Sequence, residues 1–168
     1  GMAFGVDPKV VESVTKAVRK VTDKPVIVKL SPNVTDIVEI AKAVEAGGGN
    51  GVSLINTLLG MAIDIHRRKP VLGNTYGGLS GPAVKPVALR MVHQVYKGVT
   101  IPIIGLGGIM TGTDAIEFMM AGAQAVQVGT ATMVDPTAIS RIAREMSEYV
   151  EQYNLNSITD IVGAVHQV

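Results

Sequence analysis

Two glycine-rich segments are the part of the chain best suited to chemistry. Residues 105–108 (GLGG) and 129–130 (GT) each follow an apolar run that predicts a buried strand. Glycine lets backbone N–H groups approach a phosphate closely, and the N-termini of following helices add favourable partial charge. The segments therefore predict a phosphate site formed by Gly107, Gly108, Gly129 and Thr130. The alternative is that these glycines only form tight turns.

The common nucleotide motifs do not explain this pattern. The third glycine of a dinucleotide fingerprint would fall at Met110, and a P-loop is absent from the sequence. In (β/α)8 barrels, by contrast, a phosphate site commonly follows the seventh and eighth strands.

Polar residues at the ends of two earlier strands indicate where the rest of a ligand would lie. Lys29 interrupts an otherwise apolar strand, so its ammonium is predicted to meet an anionic group, with an edge lysine that reaches solvent as the alternative. Asn56 and Thr57 could hydrogen-bond a planar polar ligand or cap the following turn. Because ligands bind at the carboxyl ends of parallel strands, these residues are expected at one edge of a sheet.

The histidines predict no metal site. His66, His93 and His166 lie far apart in the sequence, without a carboxylate at ligand spacing. His93 is predicted on a helix surface, and residues 66–69 (HRRK) at a solvated hairpin tip. No Ser/His/Asp arrangement is recognisable, so the residues alone predict a phosphate-bearing ligand and no catalytic base.

The composition predicts one soluble, intracellular domain over residues 1–168. The chain is 47% hydrophobic and 17% charged, with a net charge of +1 and no cysteine. This balance gives no general attraction to nucleic acid or anionic membranes. It also excludes disulfides, thiolate metal sites and a cysteine nucleophile within the chain. No apolar run is long enough to span a bilayer.

The hydrophobic periodicity predicts alternating strands and helices that would position these residues. Strands are predicted at 25–30, 51–55, 101–105 and 125–128. Helices are predicted at 8–21, 36–46, 82–96, 113–121, 135–153 and 157–168. This alternation implies a parallel sheet, either an open doubly wound sheet or part of a (β/α)8 barrel. The stretch 57–80 exceeds a normal connection, and residues 62–65 and 70–72 within it are predicted to pair as a hairpin.

Longer motifs resemble a known family. They are VKLSPNVTDIVEIAKAVEAGG, INTLLGMAIDIHRRKPVLGNTYGGLSGPAVKPVALRMVHQV, IPIIGLGGI and AVQVGTATM. Together with the rest of the chain they resemble dihydroorotate dehydrogenase, most closely the class 1B, NAD-linked catalytic subunit. The resemblance implies a cytoplasmic, FMN-containing TIM (β/α)8 barrel that oxidises dihydroorotate to orotate in pyrimidine biosynthesis.

The resemblance also implies roles for individual residues. Lys29 would contact the flavin ring near N1, and Ile55 would lie against FMN through its backbone. Asn56 and Thr57 would hydrogen-bond orotate. The remaining FMN contacts, of which the last four hold the phosphate, would come from Gly81, Gly107, Gly108, Gly129 and Thr130.

The chain resembles the C-terminal half of the family's members, which holds strands five to eight of their barrel. A hairpin insertion follows the second of these four strands. The family's catalytic base is a cysteine upstream of the segment that matches residues 1–5, so this chain alone is expected to be inactive. Four strands leave two sheet edges and one face uncovered, which predicts a homo-oligomer, pairing with the missing N-terminal half or a rearranged open sheet, and a homo-oligomer is favoured. Electrons would pass from FMN to a partner subunit that carries FAD and a 2Fe-2S cluster.

Two other hypotheses remain open. The chain could be a non-catalytic oligomeric fragment that binds FMN or phosphate, or a different phosphate-binding (β/α)8 enzyme. The combination of Lys29, Asn56, Thr57 and the GGLSGPAVKP segment argues against the second of these.

Overall fold

The computed structural model of the chain describes residues 4–166. Within this range the strands are β1 (Ile27–Leu30), β2 (Gly51–Leu54), β3 (Leu58–Met61), β4 (Ile63–Asp64), β5 (Lys69–Pro70), β6 (Tyr76–Leu79), β7 (Ile103–Leu106) and β8 (Ala125–Gln127). The α-helices are α1 (Pro8–Arg19), α2 (Ile37–Ala46), α3 (Lys85–Tyr96), α4 (Gly112–Met120), α5 (Thr130–Val134) and α6 (Ala138–Gln152). Short 3-10 helices cover Pro82–Val84, Ile158–Ile161 and Ala164–His166.

Four of these strands form a parallel sheet in the order β1-β2-β7-β8. Lys29 lies beside Ser53 in the register of β1 and β2, and Gly105 of β7 lies between Leu54 and Val126. Parallel strands joined by helical crossovers carry long apolar runs because helices cover them. The predicted α/β fold with a parallel four-stranded sheet is confirmed, and it is compatible with part of a TIM barrel.

The core lies between this sheet and the helices. Helix α2 begins where the Asp36 carboxylate accepts a hydrogen bond from the Val38 N–H at 2.8 Å. Its apolar stripe, which includes Val44, packs with Leu54 of β2 and Phe118 of α4 in one buried cluster. A Cβ atom on Gly105 would come within 2.6 Å of the Phe118 ring. Gly105 is therefore required for packing rather than for a ligand.

The opposite face of the sheet is less covered. On β1, Leu30 is buried, whereas Ile27 is 50% exposed and Lys29 is also exposed. Strand β7 shows the same alternation, with Ile103 buried and Ile104 only partly buried. Since successive side chains of a strand point to opposite faces, one face of the sheet is packed against helices and the other is open at β1 and β7. All four residues of β2 are buried.

The long stretch after β2 contains two antiparallel strand pairs. Strand β4 pairs with β5, with Ile63 opposite Pro70. Strand β3 pairs with β6, with Leu58 opposite Leu79. The sequence does not predict this second pair because Gly60, Gly77 and Gly78 have low strand propensity. The HRRK segment at 66–69 is exposed.

Two predicted helices differ from the structure. The helix predicted from 135 begins at Ala138, because the Asp135 carboxylate accepts a hydrogen bond from the Thr137 N–H at 2.9 Å and holds residues 135–137 in a turn. Helix α5, directly before it, is not predicted from the sequence. The predicted closing helix at 157–168 is instead two 3-10 segments separated at Gly163, which has a φ of 73°. Residues 167 and 168 lie outside the described residues.

The remaining boundaries differ by a few residues. The helix predicted from 82 begins with a 3-10 turn before α3, and α1 ends at Arg19. In residues 4–166, no helix combines the length and the apolar character that a membrane crossing requires.

Candidate functional site

A cavity of about 260 Å³ lies at the carboxyl edge of the parallel sheet. Every residue predicted to contact a ligand lines it: Lys29, Ile55, Asn56, Thr57, Gly81, Gly107, Gly108, Gly129 and Thr130. The sequence separates these residues by up to a hundred positions, and the sheet order β1-β2-β7-β8 brings them together. Sequence reasoning did not single out Leu79, Ser80, Val84, Leu106, Ile109, Gln127 and Met133, which also line the cavity.

The loop after β7 takes a backbone conformation that only glycine adopts readily. Gly107 has a φ of 131° and Gly108 a φ of 76°. A Cβ atom on Gly108 would lie 2.7 Å from the Gly81 carbonyl oxygen and 2.8 Å from the backbone nitrogen of Lys85. The loop therefore packs directly on the backbone that begins α3, and a side chain at Gly108 would separate them.

Gly129 differs from the other glycines of the cavity. Its φ is −112°, and a Cβ atom there would meet nothing within 4 Å. The next residue, Thr130, donates a hydrogen bond from Oγ1 to Ser80 Oγ at 2.9 Å. This contact joins the start of α5 to the end of β6. Gly129 and Thr130 both line the cavity, and the space beside Gly129 is open.

Asn33 positions the polar segment after β2. Its Nδ2 donates to the Thr57 carbonyl at 3.1 Å, and its Oδ1 accepts from the Leu59 N–H at 3.0 Å. The Asn56 N–H donates to the Leu30 carbonyl at 2.9 Å, which extends the β1–β2 pairing to the cavity edge. The side chains of Asn56 and Thr57 are exposed on that edge. Asn33 has no sequence signal beyond its place shortly after a strand.

An ion cluster lies behind the loop after β7. Lys85 Nζ contacts Asp114 Oδ1 at 2.6 Å and Glu117 Oε2 at 2.9 Å. Asp114 Oδ2 accepts from the N–H groups of Met110 and Thr111, both at 2.9 Å. Burial opposes ionisation of Asp114, but hydrogen bonds from Lys85 and Met110 outweigh it and lower the pKa of Asp114. One carboxylate therefore joins the start of α3 to the loop and to α4.

A second cluster reaches the same loop from α6. Glu145 accepts a hydrogen bond from the Gly112 N–H, and this bond holds the pKa of Glu145 below its ordinary value. Arg141 donates to Glu145 Oε1 at 3.1 Å and to the Met110 carbonyl at 3.2 Å. At the end of the loop, Asp114 thus holds the N–H groups of residues 110 and 111, and Glu145 holds that of residue 112.

These two carboxylates predict a loss of stability in acid. A carboxyl whose pKa is lowered by folding stabilises the folded state above its unfolded pKa, and this contribution is lost as the pH falls through the folded pKa. We expect the thermal midpoint of the chain to fall below about pH 4.5. Asp114→Asn and Glu145→Gln should each flatten this fall, and Glu148→Gln, at an exposed ion pair of α6, is the control variant. Thermal unfolding from neutral to acidic pH measures the effect, and parallel curves for all four proteins would contradict it.

Two of the histidines lie together, contrary to the expectation from their sequence spacing. The rings of His93 and His166 stack with centroids 4.1 Å apart, because the C-terminal 3-10 segment packs against α3. Burial, followed by the neighbouring His166 and Lys97, lowers the pKa of His93. Among residues 4–166, no group of three or more potential ligands is arranged to hold a metal ion.

The comparisons with known proteins agree on one family. A family model described as dihydroorotate dehydrogenase matches residues 1–150. The chain is similar to the protein named dihydroorotate dehydrogenase B (NAD(+)), catalytic subunit, of Desulforamulus reducens, with 64% identity over 99% of this chain and 55% of the relative. The protein of the same name from Alkaliphilus metalliredigens is 61% identical over 98% of this chain and 55% of the relative.

A third relative of that name, from Geobacter sp. (strain M21), is 60% identical over 98% of this chain and 54% of the relative. The chain thus spans about half the length of the curated relatives it matches. The match to the family model and these identities confirm the resemblance predicted from the motifs. This chain belongs to the dihydroorotate dehydrogenase family.

Proposed function

We propose that the chain is the FMN-phosphate side of a dihydroorotate dehydrogenase, which oxidises dihydroorotate to orotate in pyrimidine biosynthesis. The observation that carries this proposal is the cavity in which all nine predicted contact residues meet. Membership of the family and the relatives' printed names support the reaction. The family resemblance alone supports a cytoplasmic location.

The residues of the cavity fit FMN. The open space beside Gly129 leaves room for a phosphate, and Gly107 and Gly108 let backbone approach it. Ligand pockets usually enclose about 300–1,000 Å³. The cavity of about 260 Å³ is therefore nearly large enough, and the rest of its wall would come from a segment that completes the barrel.

When bound, FMN supplies the hydride acceptor. Backbone groups of Gly107, Gly108, Gly129 and Thr130 would hold its phosphate, with Gly81 beside them. Ile55 would contact FMN through its backbone, and the Lys29 ammonium would lie near N1, where positive charge stabilises an anionic flavin. Asn56 and Thr57 would orient the substrate through their exposed polar groups.

We expect the 168-residue chain to be inactive by itself. It contains no cysteine, and the resemblance assigns proton abstraction to a cysteine of the upstream half. We propose that the four strands are strands five to eight of a TIM barrel, with residues 57–80 as an insertion over its mouth. The open face of the sheet would then be covered by the N-terminal half or by a second copy. The words NAD(+) and catalytic subunit in the relatives' names support a partner subunit that passes electrons to NAD. That this partner carries FAD and a 2Fe-2S cluster follows from the resemblance alone.

The second candidate function is a non-catalytic, oligomeric fragment that binds FMN or phosphate. It is favoured by the same cavity, because nothing in the glycine segments requires turnover. Adding the cysteine-bearing half to the flavin-loaded chain distinguishes the two. Recovery of orotate formation supports the enzyme, and binding without recovery supports the fragment.

Flavin titration tests the cofactor site directly. We expect the fluorescence of FMN to be quenched saturably when this chain binds it. FMN should also bind at least about tenfold more tightly than riboflavin, since a tenfold difference needs only about 1.4 kcal/mol of phosphate contacts. Riboflavin has the same ring and ribityl chain without the phosphate. Equal affinities for FMN and riboflavin would contradict a phosphate site at the glycine segments. A chain that binds neither flavin would contradict the FMN proposal.

A further inference from the structure

The two glycine segments of the cavity are held together by side chains outside it. The segment after β7 continues through Met110 to Gly112, where α4 begins. The segment after β8 continues through α5 to Asp135. Their relative position decides whether backbone groups from both can reach one phosphate.

Arg141 of α6 contacts both segments. Its Nη2 donates to the Met110 carbonyl at 3.2 Å and to Asp135 Oδ2 at 3.4 Å. Its Nη1 donates to Glu145, which in turn accepts from the Gly112 N–H. A planar guanidinium makes these contacts from two nitrogens that are held apart, whereas a lysine ammonium would have to reach all three acceptors from one nitrogen.

The packing around Gly112 makes this arrangement stiff. A Cβ atom on Gly112 would overlap the Glu145 side chain, so α4 begins in direct contact with α6. Asp114 holds the Met110 and Thr111 N–H groups from the other side and is itself held by Lys85. The backbone of residues 110–112 is therefore fixed at the Met110 carbonyl and at all three of its N–H groups.

We propose that Arg141 is a positioning residue that sets the distance between the segment after Gly108 and the segment after Gly129, and thereby the selectivity for a phosphorylated flavin. This inference rests on the proposed function of the cavity. Arg141 acts through Met110 and Asp135 and does not line the cavity. Its loss should therefore weaken binding of the phosphate and leave binding of the flavin ring nearly unchanged.

The test compares FMN and riboflavin affinities of the full 168-residue chain. We expect Arg141→Gln to weaken FMN binding about tenfold and riboflavin binding less than twofold. The FMN affinity of Arg141→Lys should lie between those of the wild-type chain and Arg141→Gln. A general loss of stability lowers both affinities by the same factor, so the ratio isolates positioning. Arg144→Gln is the matched control, because Arg144 lies one turn along the same helix and contacts only Glu148 among the ion pairs of residues 4–166.

Amide hydrogen exchange gives a second readout that needs no ligand. Arg141→Gln should speed exchange at least about tenfold at Gly112, whose N–H bonds to the Glu145 carboxylate that Arg141 contacts. The strands of the parallel sheet should be unchanged. Should that variant fail to fold, Arg141→Lys is measured in its place. An unchanged FMN-to-riboflavin ratio in a chain that binds FMN would overturn this inference and leave the proposed function intact. A wild-type chain that binds neither FMN nor inorganic phosphate would overturn both.

Discussion

Replacing Gly108 with alanine is expected to destabilise the chain by about 2–5 kcal/mol. The φ of 76° costs an L-residue roughly 1–2 kcal/mol. The new Cβ would also lie 2.7 Å from the Gly81 carbonyl oxygen, and overpacking of this kind costs about 1–3 kcal/mol. Because the atoms in contact belong to the backbone, no side-chain rotation can relieve the overlap. Urea unfolding of the purified variant measures the loss.

Gly129→Ala is the matched control for this experiment. Its φ is −112° and no atom lies within 4 Å of the new Cβ, so we expect a change within about 0.5 kcal/mol. A Gly108→Ala variant as stable as Gly129→Ala would show that the loop after β7 does not pack on the start of α3 as described.

Gly129→Asp is expected to reduce FMN affinity at least about a hundredfold while leaving the fold intact. Gly129 lines the cavity and a Cβ atom there meets no atom within 4 Å, so a carboxylate can be accommodated beside the proposed phosphate. Like charges brought together in an interface cost several kcal/mol, and each 1.4 kcal/mol is a factor of about ten. Titration of FMN fluorescence measures the affinity, and thermal unfolding verifies that the variant is folded.

Gly129→Asn separates charge from size in this experiment, because the two side chains have nearly the same shape. We expect the asparagine variant to retain most of the FMN affinity, and riboflavin to bind all three proteins similarly. Gly107→Asp is unsuitable here, since a Cβ at Gly107 would lie 2.9 Å from Ala88 Cβ and would disturb folding as well as charge. Full FMN affinity in Gly129→Asp would exclude a phosphate beside Gly129.

The parallel sheet and nine of the residues that line the cavity could be predicted from sequence because local signals agree with the fold. Lys29 stands just before the end of an apolar run, and Asn56, Gly107 and Gly129 stand just after the ends of three others. Parallel strands bring such ends to one edge. The family motifs cover the same positions. No long-range pairing had to be known to identify these residues.

The remaining features depend on contacts that leave no local signal. Arg141 reaches Met110 across 31 positions, and Glu145 reaches Gly112 across 33, on a helix whose sequence shows only an amphipathic pattern. The β3–β6 pair depends on glycines that disfavour strands. The start of α6 was missed because Asp135 followed by proline has the sequence of a helix cap, while its carboxylate forms a turn instead.

The pairing of β3 with β6 has a consequence for how this part of the molecule can change. Leu58 lies opposite Leu79, so the insertion leaves and re-enters the sheet layer at neighbouring points. The length of the chain between those points has little effect on the sheet, since loop closure costs rise only with the logarithm of length. Insertions or deletions in the exposed HRRK segment at 66–69 should therefore leave the register of β2 and β7 unchanged, so that the tip and the parallel sheet can be altered independently.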